Sequence, residues 1–376
     1  MRILYCIPSL GIGGAERQLA HVAGALARRG HEIHVACGRG GPLHDALSAA
    51  GATVHLVGGA GAHDPRVPIR LVRLLAALRP DVVQTCLTQM DVLGGAAALL
   101  TGTPWVLRES SGAAMYGTGW KDRSRRALGR LADAVVANSE AGDAYWCAAG
   151  ARRRRVVPNG VAPNDVAPDD VGPDGVVPDD APGDGTAVPA PPGRPVVLFA
   201  GRMDDAKNAG AVVEALGRLA ASADFVALLC GDGPRRADLE ARATRLGLAD
   251  RVRFPGCVTD LAPLMRRADV VVSLSRVEGC PNVVLEAMAC GRPLVVSDIH
   301  AHRSLVDASS AWLVPPDDAA AAAIAIGEAL RRPLSDPSGE GARRARAASA
   351  RAERFTVPAS ADGYERVYRE VARSPR

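Results

Sequence analysis

The chain is poor in lysine and in aromatic side chains. Of its 45 lysine and arginine residues only two, Lys121 and Lys207, are lysine. A lysine kept against so strong an arginine bias marks a position to test for function. Phe, Trp and Tyr make up 3% of the residues against 48% hydrophobic overall, so any core must be built from alanine, valine and leucine. The formal net charge is only +4, and no interleaving of aromatic with basic residues suggests base stacking. That excludes the stacking platform and charge density of a nucleic-acid binder. The cysteines (Cys6, Cys37, Cys86, Cys147, Cys230, Cys257, Cys280 and Cys290) form no C-x-x-C pair, and most lie in apolar runs. They read as reduced core thiols of a cytoplasmic protein. No apolar run approaches the roughly 20 residues that span a bilayer, and the chain is expected to start directly as a strand without a signal peptide. Membrane contact would therefore be peripheral.

With 376 residues, there is room for two ordinary domains. Short apolar strands are expected at Ile3–Ile7, Glu32–Cys37, Val54–Val57, Val82–Thr85, Trp105–Arg108 and Ala134–Asn138. Helical patterns separate them, the first over Ala15–Arg29. This rhythm predicts a parallel sheet covered on both faces, an α/β domain over 1–160. An imperfect five-residue repeat with proline at each step occupies 161–195 and reads as a linker without regular structure. Calcium binding by its aspartates is disfavoured, because Gly and Pro do not fix ligand geometry. The α/β rhythm restarts over 196–350, with strands at Val196–Ala200, Val226–Cys230, Val252–Phe254, Val270–Leu274, Leu294–Ser297 and Ala311–Val314. An Arg-rich helical stretch, 351–376, is expected to pack back across the junction. Two parallel-sheet domains imply a cleft facing the carboxyl ends of the strands.

Four turns and one longer segment carry chemistry. Ser9-Leu10-Gly11-Ile12-Gly13-Gly14-Ala15-Glu16 follows the first strand. Its glycines would let backbone approach a phosphate at a helix N-terminus, though a bare tight turn is an equal reading. The third glycine of a dinucleotide fingerprint falls on Glu16, which disfavours a nicotinamide site. Arg202 and Lys207 follow the strand that opens the second domain, where two cations could neutralise a departing diphosphate. Gly231 and Gly233 sit at the next strand-to-turn junction and would allow close approach of a ligand. Beyond the following strand, backbone at Cys257 and Val258 could hold a base.

The longer segment runs from Ser275 to Pro293. Glu278 lies in a Gly/Pro-bearing loop, Pro281 can take the first helical turn, Glu286 falls about one turn inside, and Gly291 ends the helix. Backbone N–H groups at a helix start hold phosphate, and carboxylates accept pairs of sugar hydroxyls.

In this order, Gly-Gly-Ala-Glu-Arg, Pro158-Asn159-Gly160-Val161, Gly-Arg…Lys-Asn, Gly-Asp-Gly-Pro and Glu-x7-Glu resemble the retaining glycosyltransferases of family 4. The resemblance covers nearly the whole chain outside the repeat. It implies the GT-B fold, two Rossmann-like doubly wound parallel-sheet domains. A nucleotide-diphosphate sugar would be held mainly by the second and an acceptor mainly by the first. Carried over, Glu286 would hold ribose hydroxyls, Glu278 those of the transferred sugar, and Arg202 and Lys207 the diphosphate. Backbone of Gly279, Cys280, Pro281, Asn282 and Val283 would contact the sugar and distal phosphate, and the Gly13–Gly14 loop would close over the diphosphate. The resemblance implies no metal and no cofactor beyond the donor.

Two departures stand out. Where many relatives carry a histidine, this chain has Leu107-Arg108-Glu109-Ser110-Ser111, so Arg108 or Glu109 is a candidate to act there. Where many carry a glycine pair, it has Asp298-Ile299-His300-Ala301-His302-Arg303, whose histidines read as solvated loop residues. Basic runs at Lys121–Arg126 with Arg130 and at Arg152–Arg155 read as solvated helix faces, with attraction to an anionic lipid surface as the functional alternative. The expected activity is retaining transfer of a hexose or N-acetylhexosamine, from UDP or else GDP-mannose, to a glycan or lipid-linked acceptor. A sugar-nucleotide epimerase and a silent binding subunit are the readings from other classes.

Overall fold

The computed structural model describes residues 1–58, 64–112, 116–117, 119–151, 153–161, 193–258 and 260–373. It divides into two compact units, Met1–Gly160 with Phe355–Arg376, and Val161–Arg354. The proline repeat lies almost wholly outside the described residues, so its expected character is not addressed by the fold.

In the first unit, strands and helices alternate as β1 (Arg2–Ser9), α1 (Gly14–Arg28), β2 (Glu32–Arg39), α2 (Leu43–Ala49) and β3 (Thr53–Leu56). They continue as α3 (Val67–Leu78), β4 (Val82–Cys86), α4 (Leu87–Thr101) and β5 (Trp105–Glu109). The run closes with α5 (Trp120–Gly129), β6 (Ala134–Ala137), α6 (Glu140–Ala149) and β7 (Arg154–Val156). The seven strands order as β3-β2-β1-β4-β5-β6-β7 and every pairing is parallel. Residues 3–7 of β1 are wholly buried, as a central strand covered on both faces requires. The scarcity of aromatics has the anticipated result. The core is aliphatic, with Trp105 and Trp146 as its largest members.

The second unit runs β8 (Val196–Ala200), α7 (Ala209–Leu219), β9 (Val226–Cys230), α8 (Arg236–Arg245), β10 (Val252–Gly256), α9 (Ala262–Arg267) and β11 (Val270–Ser273). It continues through α10 (Asn282–Ala289), β12 (Leu294–Ser297), α11 (His300–Arg303), β13 (Trp312–Val314), α12 (Ala319–Leu330) and α13 (Glu340–Ala352). Its strand order is β10-β9-β8-β11-β12-β13, again all parallel. The chain winds outward from β8 through β9 and β10, then restarts at β11 on the other side. Loops leaving β8 and β11 at their carboxyl ends therefore diverge, and the gap between such loops is where ligands lie in doubly wound sheets.

The Arg-rich C-terminal stretch is two helices rather than one. The first, α13, ends at Ala352, and α14 (Val357–Ala372) starts with the Thr356 hydroxyl accepting from the Ala359 N–H at 3.2 Å. The α14 helix belongs to the first unit: its Tyr368 hydroxyl donates to Gln84 on β4 at 2.5 Å and lies 3.2 Å from that of Tyr5 on β1. The second basic run is also not a helix face. Arg154 and Arg155 lie on β7, the edge strand, where exposed charge blocks further strand pairing.

Candidate functional site

The loop after β8 is folded by its own polar groups. The Asp204 carboxylate accepts from the Lys207 N–H at 2.9 Å, and the Asp204 carbonyl accepts from the Asn208 N–H at 3.1 Å. Asn208 takes the left-handed conformation (φ 54°), and its amide donates to the Pro316 carbonyl at 2.7 Å, setting the start of α7. The loop after β11 is laced to this one. Arg276 donates its N–H to the Ala206 carbonyl (2.8 Å) and a guanidinium N–H to that of Asp205 (2.7 Å).

This lacing brings together two residues read from sequence in separate roles, Lys207 at the diphosphate and Glu278 at the transferred sugar. Lys207 Nζ donates to Glu278 Oε1 at 2.5 Å, and Ser275 Oγ donates to the same oxygen at 2.7 Å. The Lys207 side chain is 30% exposed and that of Glu278 10%, so the pair sits at the surface of the β8–β11 switch point, open to a ligand on one side. Arg202 is not part of the pair. Its side chain is 71% exposed and lies 3.5 Å from Asp204.

Pro281 stands just outside the helix, as the N-cap of α10 in extended conformation, one residue earlier than expected. Its fixed φ still directs the chain into the helix, and no side chain caps that end. Gly279 and Pro281 are buried, while Cys280, Asn282 and Val283 are partly exposed. Glu286 lies on the second turn of α10 and is buried. Gly291 (φ 62°) closes the helix, with its N–H on the Met288 carbonyl at 3.0 Å and that of Arg292 on the Ala287 carbonyl at 2.9 Å.

Gly231 and Gly233 allow a close approach of backbone to backbone. A Cβ on Gly231 (φ 136°) would overlap the Gly201 carbonyl, and one on Gly233 would lie 2.6 Å from that of Met203. The close approach is between the loops after β8 and β9, which also share the bond from the Met203 N–H to the Asp232 carbonyl at 2.9 Å. These glycines join the two loops into one platform. Beyond β10, Cys257 is exposed and Val258 partly so.

In the first unit, Gly13 is the N-cap of α1 and Gly14 its first residue, both exposed. A Cβ on Gly13 would meet the Glu16 carboxylate, which also accepts from Ser9 Oγ at 3.4 Å. Burial raises the Glu16 pKa, with its own backbone N–H and Ser9 acting in the opposite direction. The helix N-terminus expected to meet a phosphate is thus already complemented by the chain's own acid.

Arg108 and Glu109 are both tied up inside the fold, and neither presents a reactive group. Arg108 donates to the Tyr364 hydroxyl (2.9 Å), the Ala15 carbonyl (3.2 Å) and Asn159 Oδ1 (3.1 Å). Glu109, fully buried, accepts from Arg125 (2.9 Å), Trp146 Nε1 (2.9 Å), the Tyr116 hydroxyl (2.5 Å) and the Ser111 N–H (2.7 Å). Arg125 also donates to Asp91 at 2.6 Å, so this member of the first basic run is an internal counter-ion, not a solvated charge. The Pro158-Asn159-Gly160-Val161 motif has a structural use as well. Gln18 pairs with both backbone groups of Gly160, at 2.8 and 3.0 Å.

His300 is exposed, but His302 is wholly buried rather than solvated. Its Nδ1 lies 2.8 Å from the Ser297 carbonyl oxygen and 3.0 Å from Ser297 Oγ, and its Nε2 lies 3.4 Å from Ser273 Oγ. Burial lowers its pKa, while the Ser297 carbonyl and Glu278 push the other way. The sequence held a signal for this. Ala301, Leu305 and Val306 around it form an apolar face at helical spacing, and all three are buried.

Residues 12–165 match the family model for Glycosyltransferase Family 4, and residues 194–332 that for Glycosyl transferases group 1. The chain belongs to glycosyltransferase family 4. It is 32% identical over 182 residues to an alpha-D-kanosaminyltransferase of Streptomyces kanamyceticus, covering 47% of this chain and 46% of that one. It is 33% identical over 173 residues to a GDP-mannose-dependent alpha-(1-6)-phosphatidylinositol dimannoside mannosyltransferase of Mycobacterium tuberculosis, covering 44% and 42%. The aligned stretches thus span less than half the length of these curated relatives. Among solved structures, Anabaena Alr3699/HepE in complex with UDP-glucose superposes with a TM-score of 0.83 at 23% identity, over 98% of this chain and all of that one. A sucrose-phosphate synthase from Thermosynechococcus elongatus gives 0.79 at 21% identity, over 98% of each chain. Both likenesses establish the two-sheet GT-B fold of this family 4 member. No described helix is long and apolar enough to cross a membrane.

Proposed function

We propose that this chain moves a hexose or N-acetylhexosamine from a nucleotide-diphosphate sugar, UDP-linked by preference, to a glycan, lipid-linked or small-molecule acceptor, with retention at the anomeric carbon. The observation that carries this reading is the Lys207–Glu278 pair at the β8–β11 switch point. Without a ligand the two charges neutralise each other. A donor diphosphate competes for Lys207, and Glu278 becomes free to accept from sugar hydroxyls. Negative charge grows on the diphosphate as the sugar leaves. A fixed cation there stabilises the transition state more than the ground state. Arg202, swung from Asp204, adds a second positive charge, and Glu286 on α10 anchors the ribose. The leaving phosphate, on the same face as the incoming acceptor, takes the acceptor proton. Because lysine and arginine supply the countercharge, turnover is expected to survive a chelator.

The named transferase relatives support this class, and the GDP-mannose-dependent relative makes GDP-mannose the nearest alternative donor. A place in cell-surface polysaccharide synthesis would suit a cytoplasmic enzyme that touches the membrane's inner face peripherally. Exposed Trp120, with Lys121, Arg123, Arg126 and Arg130 on and after α5, is the surface for that contact. Co-sedimentation with vesicles, rising with anionic lipid and falling with salt, tests it. For the activity itself, a thermal-shift panel of nucleotide sugars identifies the donor, since a ligand of the folded state raises apparent stability. Acceptor-dependent UDP release with that donor is the expected result. An altered sugar nucleotide formed without acceptor would make the chain an epimerase, and binding without turnover in any acceptor mixture would make it a silent subunit.

A further inference from the structure

We infer that His302 is a positioning residue for Glu278, acting through Ser297 and Ser275. The inference rests on the reading above, in which Glu278 faces the transferred sugar. A carbonyl oxygen can only accept, so the 2.8 Å contact with the Ser297 carbonyl puts the ring proton on Nδ1. The neutral ring then accepts from the Ser273 hydroxyl at Nε2. With Nδ1 so engaged, Ser297 Oγ gives its proton to the Ser275 carbonyl at 2.5 Å. Ser275 Oγ in turn donates to Glu278 Oε1 at 2.7 Å. The groups form a directed line from a buried ring to a half-buried carboxylate.

The line also ties the carboxyl end of β11 to that of β12, where the Glu278 loop leaves the sheet. Glu278 also pairs with the charged Lys207. A diphosphate would draw Lys207 away, and the line from His302 is what then keeps Glu278 aimed. The short α11 sets this up: it is one turn long and turns residue 302 inward with Ala301. A wholly buried imidazole with both nitrogens committed to serines is an expensive way to fill an apolar site, and valine or leucine would pack there without polar groups to satisfy.

The experiment compares His302→Ala, His302→Gln and His302→Asn with the wild type, using the nucleotide sugar that the wild type turns over and UDP alone as a second probe. An asparagine amide nitrogen stands near the place of Nδ1, and a glutamine nitrogen near that of Nε2. His302→Ala and His302→Gln should lower kcat/KM for the donor by about 10- to 100-fold, the scale of a small misplacement of a reacting group. Affinity for UDP alone, which lacks the sugar, should stay within about twofold. His302→Asn should recover most of the loss. Nitrogen NMR of the labelled wild type should show the His302 proton on Nδ1.

Turnover of His302→Ala equal to wild type overturns the inference and leaves the transferase reading standing. Loss of UDP affinity in parallel with turnover overturns it too, as does equal recovery by Gln and Asn. If His302→Ala fails to fold, the Asn–Gln contrast and Ser297→Ala, expected to mimic the loss, decide the matter. A wild type that binds no nucleotide sugar overturns the transferase reading, and the inference with it.

Discussion

Glu109→Gln separates a chemical from a structural role for the charged pair at the end of β5. Each carboxylate oxygen of Glu109 accepts two hydrogen bonds, Oε2 from Arg125 and Trp146 and Oε1 from Ser111 and Tyr116. A glutamine amide keeps one oxygen and turns the other into a donor. Whichever way it is placed, two donors of the fold then face an NH2 group inside a fully buried site. Hydrogen bonds to a charged group contribute about 1.5–3 kcal/mol each, so two lost bonds cost roughly 3–6 kcal/mol. That brackets the ~3–5 kcal/mol seen when one partner of a buried ion pair is removed. Arg125 keeps Asp91, which favours the middle of the range, about 4 kcal/mol. For a domain of this size about 1 kcal/mol moves Tm by ~2–4 °C, so the first unit should melt roughly 8–16 °C lower. Calorimetry reads the shift directly. Stabilisation of the second unit by UDP, expected from the proposed donor site, serves as an internal control. A variant that melts within about 2 °C of wild type yet transfers no sugar would refute the reasoning and make Glu109 a reacting group.

Lys207→Ala should remain folded and lose about 100-fold in kcat/KM, the scale of removing one transition-state charge donor. Wild-type turnover in this variant would remove the diphosphate assignment. Burial pushes the Asp91 carboxyl up to about 6, with Arg125 pulling against it. The folded value exceeds the unfolded one of about 3.9, so the folded chain binds more protons between the two and loses stability as pH rises through that window. Asp91→Asn removes this term. Its stability relative to wild type should increase from about pH 4 to pH 6 in urea titrations, and a constant difference would contradict the burial argument. Gly231→Ala forces a methyl into the Gly201 carbonyl and should cost about 2 kcal/mol or more, together with donor binding. An unchanged melting curve would show that the loops separate freely.

The architecture was legible because its signal is periodic. Buried parallel strands are short apolar runs, and those at Val226–Cys230 and Leu294–Ser297 fall where expected. Lys207 and Glu278 were legible because each follows a strand of the second unit and strand ends gather ligands. Their mutual contact was not, since it depends on Arg276 lacing the two loops. Arg154–Val156 escaped notice because a charged edge strand lacks the apolar alternation that marks a strand. His302 was misjudged because its neighbours Asp298, His300 and Arg303 are polar and exposed, and they mask the apolar spacing of Ala301, Leu305 and Val306. Arg108 and Arg125 drew functional or surface readings because a buried arginine is rare unless paired, and their partners come from distant parts of the chain.

The helix α14 bears on how the chain is made. Residues that complete the first unit leave the ribosome only after the whole of the second unit. Until Tyr364 and Tyr368 emerge, Arg108 lacks its hydroxyl partner and Gln84 on the central sheet lacks its donor. The second unit can fold while the first still waits for its closing piece, so vectorial synthesis does not finish the units in the order of their sequence. A stop codon placed just before α14 would then act as a lesion of the first unit, and supplying α14 as a separate peptide would be a direct way to rescue it.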